Sequence, residues 1–268
     1  MSPQVITSTA NPLIKEALRI KERHGRRGGA FFLIEGPHLI EMSLASPYAS
    51  LKQVFFTQDF SSAREGRRLL KRMEETSVNL VETSQRVMEK LTDTETPQGI
   101  AAVLELKTVS LDAIPLKNIP LLVVCDGVRD PGNIGTIIRA SDAAGADAVL
   151  LTPGTCDAFI PKAIRASAGS IFTIPVLSAG VGVLMSFLEE RRMRLYAADV
   201  HASHSLYETD FRESAAIAFG NEAYGIGAEL LKKADLRFRI PVIGRAESLN
   251  VAMAASISIY EAVRQRGL

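Results

Sequence analysis

The chain has 268 residues, and 31 Lys and Arg face 30 Asp and Glu for a formal charge of +1. A hydrophobic fraction of 47% with 23% charged side chains excludes a disordered chain and allows one large domain or two small ones. Near-neutrality excludes a uniformly basic coat for nucleic acid but leaves room for a local basic patch.

In chain order, Phe31–Ile34 reads as a strand, followed by a helix from about Pro37, with proline at a tolerated first-turn position. Leu51–Thr57 reads as a strand. Ser62–Glu75 reads as a helix, with Leu69, Leu70 and Met73 at helical spacing. Val78–Val81 is a short strand, Ser84 can cap a helix running to about Lys90, and Ile100–Leu106 closes this half as a strand. Residues 107–119 have weak periodicity and read as a linker between a small α/β domain, 1–106, and a second domain, 120–268. In the second domain strands are expected at Leu121–Cys125, Ala148–Leu151, Ile171–Val176, Arg194–Ala198, Ala215–Phe219 and Leu236–Ile240. A long helix is expected over about Leu249–Arg266. Strands alternating with helices imply an α/β fold with a parallel sheet.

Neither Cys125 nor Cys156 belongs to a CxxC pair, so a disulfide framework and a Cys-rich zinc site are excluded. His201 and His204 form an HxxH pair with no third ligand nearby, which reads as a polar loop, and no metal is expected. No apolar run approaches the length of a membrane span, and the first residues lack the apolar core of a secretory signal, so a cytoplasmic protein is expected. Two basic clusters stand out in the first half. One runs from Lys15 through Arg19, Lys21, Arg23 and Arg26 to Arg27; the other is Arg64, Arg67, Arg68, Lys71 and Arg72. Either alone fits a solvated helix face. Two in one small domain point to RNA phosphate, with Arg23, Arg26 and Arg27 as candidate contacts.

Ligands of open parallel sheets sit beyond the carboxyl ends of strands, and three segments there carry polar groups. Asp126–Gly145 contains a turn signal at Asp130-Pro131-Gly132. Asn133 is a candidate helix cap there, and Arg139 lies among apolar neighbours. Phe219–Gly227 holds three glycines and Glu222, in an order that is not the dinucleotide fingerprint, which disfavours a nicotinamide dehydrogenase. Ile240–Val251 offers Ser248 as a candidate N-cap and Asn250 in the first turn of the last helix.

Read together, Asn133-x-Gly135-x3-Arg139-x5-Gly145, Gly220-Asn221-Glu222-x2-Gly225 and Ile240-Pro241-x2-Gly244-x3-Ser248-Leu249-Asn250-Val251 resemble the SpoU (TrmH-type) branch of the SPOUT superfamily, the knotted RNA ribose 2′-O-methyltransferases. The three patterns follow the family's order, and the likeness covers about residues 120–268. One departure is Ala252, where many members carry Ser. The first half is similar to the family's L30-like substrate-binding domain. The resemblance implies a SPOUT domain with a deep trefoil knot, S-adenosylmethionine as cofactor and a homodimer. It implies methylation of a ribose 2′-hydroxyl, with large-subunit 23S rRNA as the expected substrate; a tRNA enzyme and a non-catalytic ribosome-associated RNA-binding protein are the alternatives. It places Asn133, Arg139, Glu222, Ser248 and Asn250 in the catalytic site. Thr152, Gly220, Ile240 and Leu249 are expected against the cofactor.

Overall fold

The computed structural model describes residues 5–22, 30–107 and 109–267. The chain divides into two compact units, Met1–Thr108 with Phe159–Pro161, and Val109–Ala158 with Lys162–Leu268. The candidate contacts Arg23, Arg26 and Arg27 lie outside the described residues.

The first unit runs α1 (Pro12–Glu22), β1 (Phe31–Glu35), α2 (Pro37–Leu44), β2 (Ala49–Phe56), α3 (Gln58–Ser62), α4 (Arg64–Glu74), β3 (Asn79–Glu82), α5 (Gln85–Leu91) and β4 (Ile100–Leu106). Among the described residues its strands form a four-stranded sheet in the order β1-β4-β2-β3. β4 pairs antiparallel with β1 and β2, whereas β3 lies parallel to β2. Ile14, Ala17, Phe55, Val87, Met88 and Leu91 bury one face of this sheet under α1 and α5. The helix expected over Ser62–Glu75 is α4, which starts only at Arg64, and Ser62 instead ends the short helix α3 before it. Ala63 is extended, at φ −72° and ψ 148°, and breaks the run. The break lets Gly66 seat against the Phe60 carbonyl, where a Cβ would stand 1.8 Å from the oxygen. Ser84 does occupy the position before α5, but its hydroxyl makes no capping bond.

The second unit runs β5 (Leu121–Asp126), α6 (Pro131–Ala143), β6 (Ala148–Leu151), α7 (Pro161–Ala166), β7 (Val176–Ser178), α8 (Val181–Glu190), β8 (Arg194–Ala198), β9 (His204–Ser205), β10 (Ala215–Gly220), α9 (Ala228–Lys233), β11 (Leu236–Arg239) and α10 (Val251–Gln265). Its described strands form a seven-stranded sheet in the order β7-β6-β5-β10-β8-β11-β9, parallel at every pairing. Alternation along each strand divides the core. Leu122, Val124, Leu150, Leu195, Ala216 and Ala218 face α8 and α9, where Leu184, Leu188 and Leu230 meet them. The intervening residues of β5 and β10 are also buried, and α6 and α10 pack together on the second unit with α10 against β10. Burial on both faces explains why these strands read as continuous apolar runs.

Two expectations are corrected in this unit. Ile171 and Phe172 are not in a strand. Gly169 is left-handed at φ 93° and starts a 3-10 turn over Ser170–Phe172, which packs on α6, and the strand begins only at Val176. β-branched and aromatic side chains suited a strand by propensity, but here they fill a gap beside a helix. The expected linker, 107–119, is largely fastened to the second unit. Ile114 is buried in its core with Val109, Leu111 and Leu116 packed alongside. Asp147 then accepts the amides of Lys117 and Leu121 at 2.9 and 2.8 Å.

Candidate active site

Parallel pairing of β5 and β10 sets Asp126 opposite Gly220, so the two strands end at the same level. Asp126 is buried, and its carboxylate reaches both neighbouring loops. One oxygen accepts from the Thr152 hydroxyl, at the end of β6, and the other accepts from the Gly227 amide at 2.6 Å. Asn221 adds a second tie, donating from Nδ2 to the Gly127 carbonyl at 2.8 Å while its Oδ1 accepts the amides of Ala223 and Tyr224. Asn221 and Gly225 exchange backbone hydrogen bonds and close the turn between them. The return is so tight that a Cβ on Gly220 would stand 2.1 Å from the Gly225 carbonyl carbon, so only glycine fits there.

On this braced frame the side chains of three loops meet. Asn250 caps α10, its Oδ1 accepting from the amides of Ala252 and Met253. That fixes the amide orientation, because the oxygen is committed and Nδ2 must point away. Nδ2 donates to Asn133 Oδ1 at 3.1 Å, which in turn directs Asn133 Nδ2 to Glu222 Oε1 at 2.7 Å. A helix cap thus sets the polarity of a relay that crosses 117 and then 89 residues of sequence. Asn133 lies in the first turn of α6. The cap of that helix is Asp130, which accepts from the Asn133 amide at 2.9 Å and pairs with Lys162 at 2.9 Å. Lys162, then the helix amides, hold the Asp130 carboxyl below its ordinary value.

The structure therefore joins Asn133, Glu222 and Asn250 directly. It corrects the capping expectations, because Asp130 and Asn250 take the places proposed for Asn133 and Ser248. Ser248 is exposed, and its hydroxyl has no partner among the described residues. Arg139 is exposed on α6, six residues and hence roughly 240° around the helix from Asn133, and among the described residues no carboxylate or carbonyl engages it. Thr152 is 3% exposed and its hydroxyl is committed to Asp126, so that hydroxyl braces the loop. Ile240 and Leu249 are half-buried at either end of an exposed segment. Among the described residues the main chain of 241–249 makes no hydrogen bond, which leaves its amides and carbonyls available to a ligand.

Sequence reasoning assigned no side-chain role to Asp126, Asp130 or Asn221, although the last two stand inside the patterns quoted above. Asp130 carried a usable signal, an acidic residue directly before a first-turn proline. Asp126 carried none, because its role depends on β6 and β10 flanking β5. Cys125 is no candidate nucleophile: burial, with Asp126 and Glu222 adding to it, pushes its thiol up to about 12. Among the described residues no group of three or more His, Cys, Asp and Glu is placed to hold a metal ion.

Residues 120–260 match the SpoU rRNA methylase family, and residues 11–102 match the MRM3-like substrate-binding domain. The chain belongs to the SpoU rRNA methylase family. Its SpoU domain is the second unit, so the relay and the braced glycine loop are features of that domain. A Bacillus subtilis relative, 23S rRNA (guanosine(2553)-2′-O)-methyltransferase RlmP, is 37% identical over 95% of this chain and 97% of its own. A crystal structure of an RNA 2′-O ribose methyltransferase is similar at TM-score 0.82 and 35% identity, covering 99% of this chain and 100% of that one. The SpoU methyltransferase AviRb from Streptomyces viridochromogenes, solved in complex with AdoMet, is similar at TM-score 0.85 and 29% identity, covering 94% of this chain and 97% of that one.

Proposed function

We propose that this SpoU protein transfers a methyl group from S-adenosylmethionine to a ribose 2′-hydroxyl of 23S rRNA. The observation that carries the reading is the Glu222–Asn133–Asn250 relay, which gathers three distant loops at one end of the sheet. The residues present fit the cofactor. The unbonded main chain of 241–249, between Ile240 and Leu249, can bond an adenine and a ribose between apolar walls, and Gly220 lets the neighbouring loop fold close. A carboxylate at Glu222 suits a cationic donor. When bound, S-adenosylmethionine supplies an electrophilic methyl on a sulfonium.

The chain's own residues must then orient the ribose and manage its proton. The relay holds the Asn133 amide and the Glu222 carboxylate in one arrangement, so neither has to be ordered when substrate arrives. Arg139, which no carboxylate or carbonyl engages among the described residues, binds the target phosphate and stabilises negative charge developing on the 2′-oxygen. A guanidinium, with a solution pKa above about 12, is a poor base, so the proton leaves to phosphate or water. Ser248 stands on the exposed segment where its hydroxyl can reach nucleotide or cofactor.

The reading extends to the assembly. Met253, Ile257 and Tyr260 are 61%, 39% and 49% exposed on α10 at i, i+4 and i+7, one apolar stripe on a helix whose opposite face is buried. A second copy of the chain covers this stripe in the proposed homodimer. The family's trefoil knot is part of the same reading, as is action in the cytoplasm. Within the described residues no helix is long and apolar enough to cross a membrane.

The test is to map 2′-O-methyl groups on 23S rRNA incubated with the protein and radiolabelled S-adenosylmethionine. One new mark that depends on both is expected. Labelling confined to tRNA would move the assignment to the tRNA alternative, and no labelling with measurable RNA binding would favour a non-catalytic protein.

A further inference from the structure

Helix α4 buries Gly66, Leu69, Leu70 and Met73 and turns Arg64, Arg67, Arg68, Lys71 and Arg72 outward. At 100° per residue these five cations occupy about 140° of the helix surface, one continuous face. They are not equivalent. Glu41, on α2, holds Arg72 in a close ion pair and Arg68 at 3.6 Å. Arg64, Arg67 and Lys71 have no carboxylate or carbonyl partner among the described residues, and they fall on a stripe rising about 10 Å along the helix. In the α1 cluster Lys21 and Arg19 are different. Lys21 bonds the Lys90 and Thr92 carbonyls and pairs with Asp93 at 2.9 Å, and Arg19 faces Glu16. Those two cations are already engaged within the unit.

We infer that Arg64, Arg67 and Lys71 on α4 form a phosphate-binding ridge for the RNA substrate, with Glu41 limiting its strength by occupying Arg68 and Arg72. The inference rests on the methyltransferase reading above. Its chemistry is that of a backbone contact: separate cations on a helix anchored by Leu69, Leu70 and Met73, with no exposed aromatic side chain among them for base stacking. Such a ridge adds affinity and carries no sequence information, so the choice of nucleotide stays with other contacts.

The experiment compares wild type with R64Q/R67Q/K71Q and with a control, K232Q/K233Q/R237Q, which removes equal charge from the second unit. A 23S rRNA fragment that the wild type methylates is titrated by fluorescence anisotropy across a salt series. Each lost phosphate contact lowers the slope of log K against log salt by about 0.7–0.9, so the ridge variant should lose about two units of slope. Cofactor affinity should be unchanged, and the control should keep the wild-type slope. E41Q should act in the opposite sense, binding more tightly with a steeper slope, which a merely structural role for α4 would not produce. An unchanged slope in the ridge variant, or an equal loss in the control, overturns the inference. So does a defect seen only with ribosomal particles, which would assign the face to a protein partner. If the wild type itself methylates no RNA, the functional reading fails first, a separate outcome.

Discussion

The two units handle polar residues in opposite ways. In the first, charge lies outside the core on α4, two cations answered by Glu41 on α2 and three without a carboxylate or carbonyl partner among the described residues. In the second, the central strands β5, β6 and β10 are almost wholly apolar, and the chemistry sits in loops tied together by Asp126, Asn221 and the Glu222–Asn133–Asn250 relay. The difference is one of precision. A surface of cations tolerates side-chain motion because phosphate attraction is long-ranged. A methyl transfer requires fixed geometry, and a fixed geometry is obtained where each polar group has its partner settled by another.

The comparison breaks most sharply at Arg139, the cation of the precise unit for which a catalytic role is proposed. Arg139→Ala is expected to lower turnover by about 10²–10³-fold with cofactor affinity retained, as for loss of one charge-stabilising group. Calorimetric titration of cofactor into the variant checks this, and lost binding would mean the residue is misassigned. A paired substitution follows. Gly220→Ala and Gly66→Ala each force a Cβ against backbone, at 2.1 and 1.8 Å, and overpacking of this kind costs about 1–3 kcal/mol. The first should abolish cofactor binding. The second should weaken RNA binding and leave the cofactor titration unchanged. Equal effects on both ligands would deny that the units divide the work.

Asn250 sharpens the argument further, since one side chain serves both stability and site. Asn250→Ala should cost about 1 kcal/mol through the lost cap and also lower turnover. Asn250→Asp keeps an acceptor for the cap but has no donor for Asn133, so thermal stability should hold while turnover falls. The smallest effect concerns Asp130. Its folded pKa lies below the unfolded value, so its contribution is present above the ordinary carboxylate range and is lost as pH falls through the folded value. Lys162→Met removes the main cause, and acid unfolding followed by circular dichroism should then begin at a slightly higher pH.

Much of this was legible in the sequence. β4, β6 and β8 occupy the expected residues, because buried parallel or central strands are short apolar runs with clear ends. The motif residues Asn133, Glu222 and Asn250 do meet. What the sequence hid was tertiary in origin. The break at Ala63 depends on how Gly66 packs against Phe60, and the 3-10 turn at Ser170 depends on a space beside α6. Val109, Leu111, Ile114 and Leu116 follow no period, so their docking on the second unit left no pattern to read. Thr152 follows the expected strand Ala148–Leu151, but its hydroxyl turns inward to a buried carboxylate that no local motif announces.

The double duty of Asn250 has a practical consequence. Because the same amide group that directs Asn133 also satisfies the first free amides of α10, disturbance of the loop junction is felt as fraying of that helix end. The exchange rates of the Ala252 and Met253 amide protons therefore act as a gauge of loop assembly, readable without substrate, cofactor or any measurement of turnover.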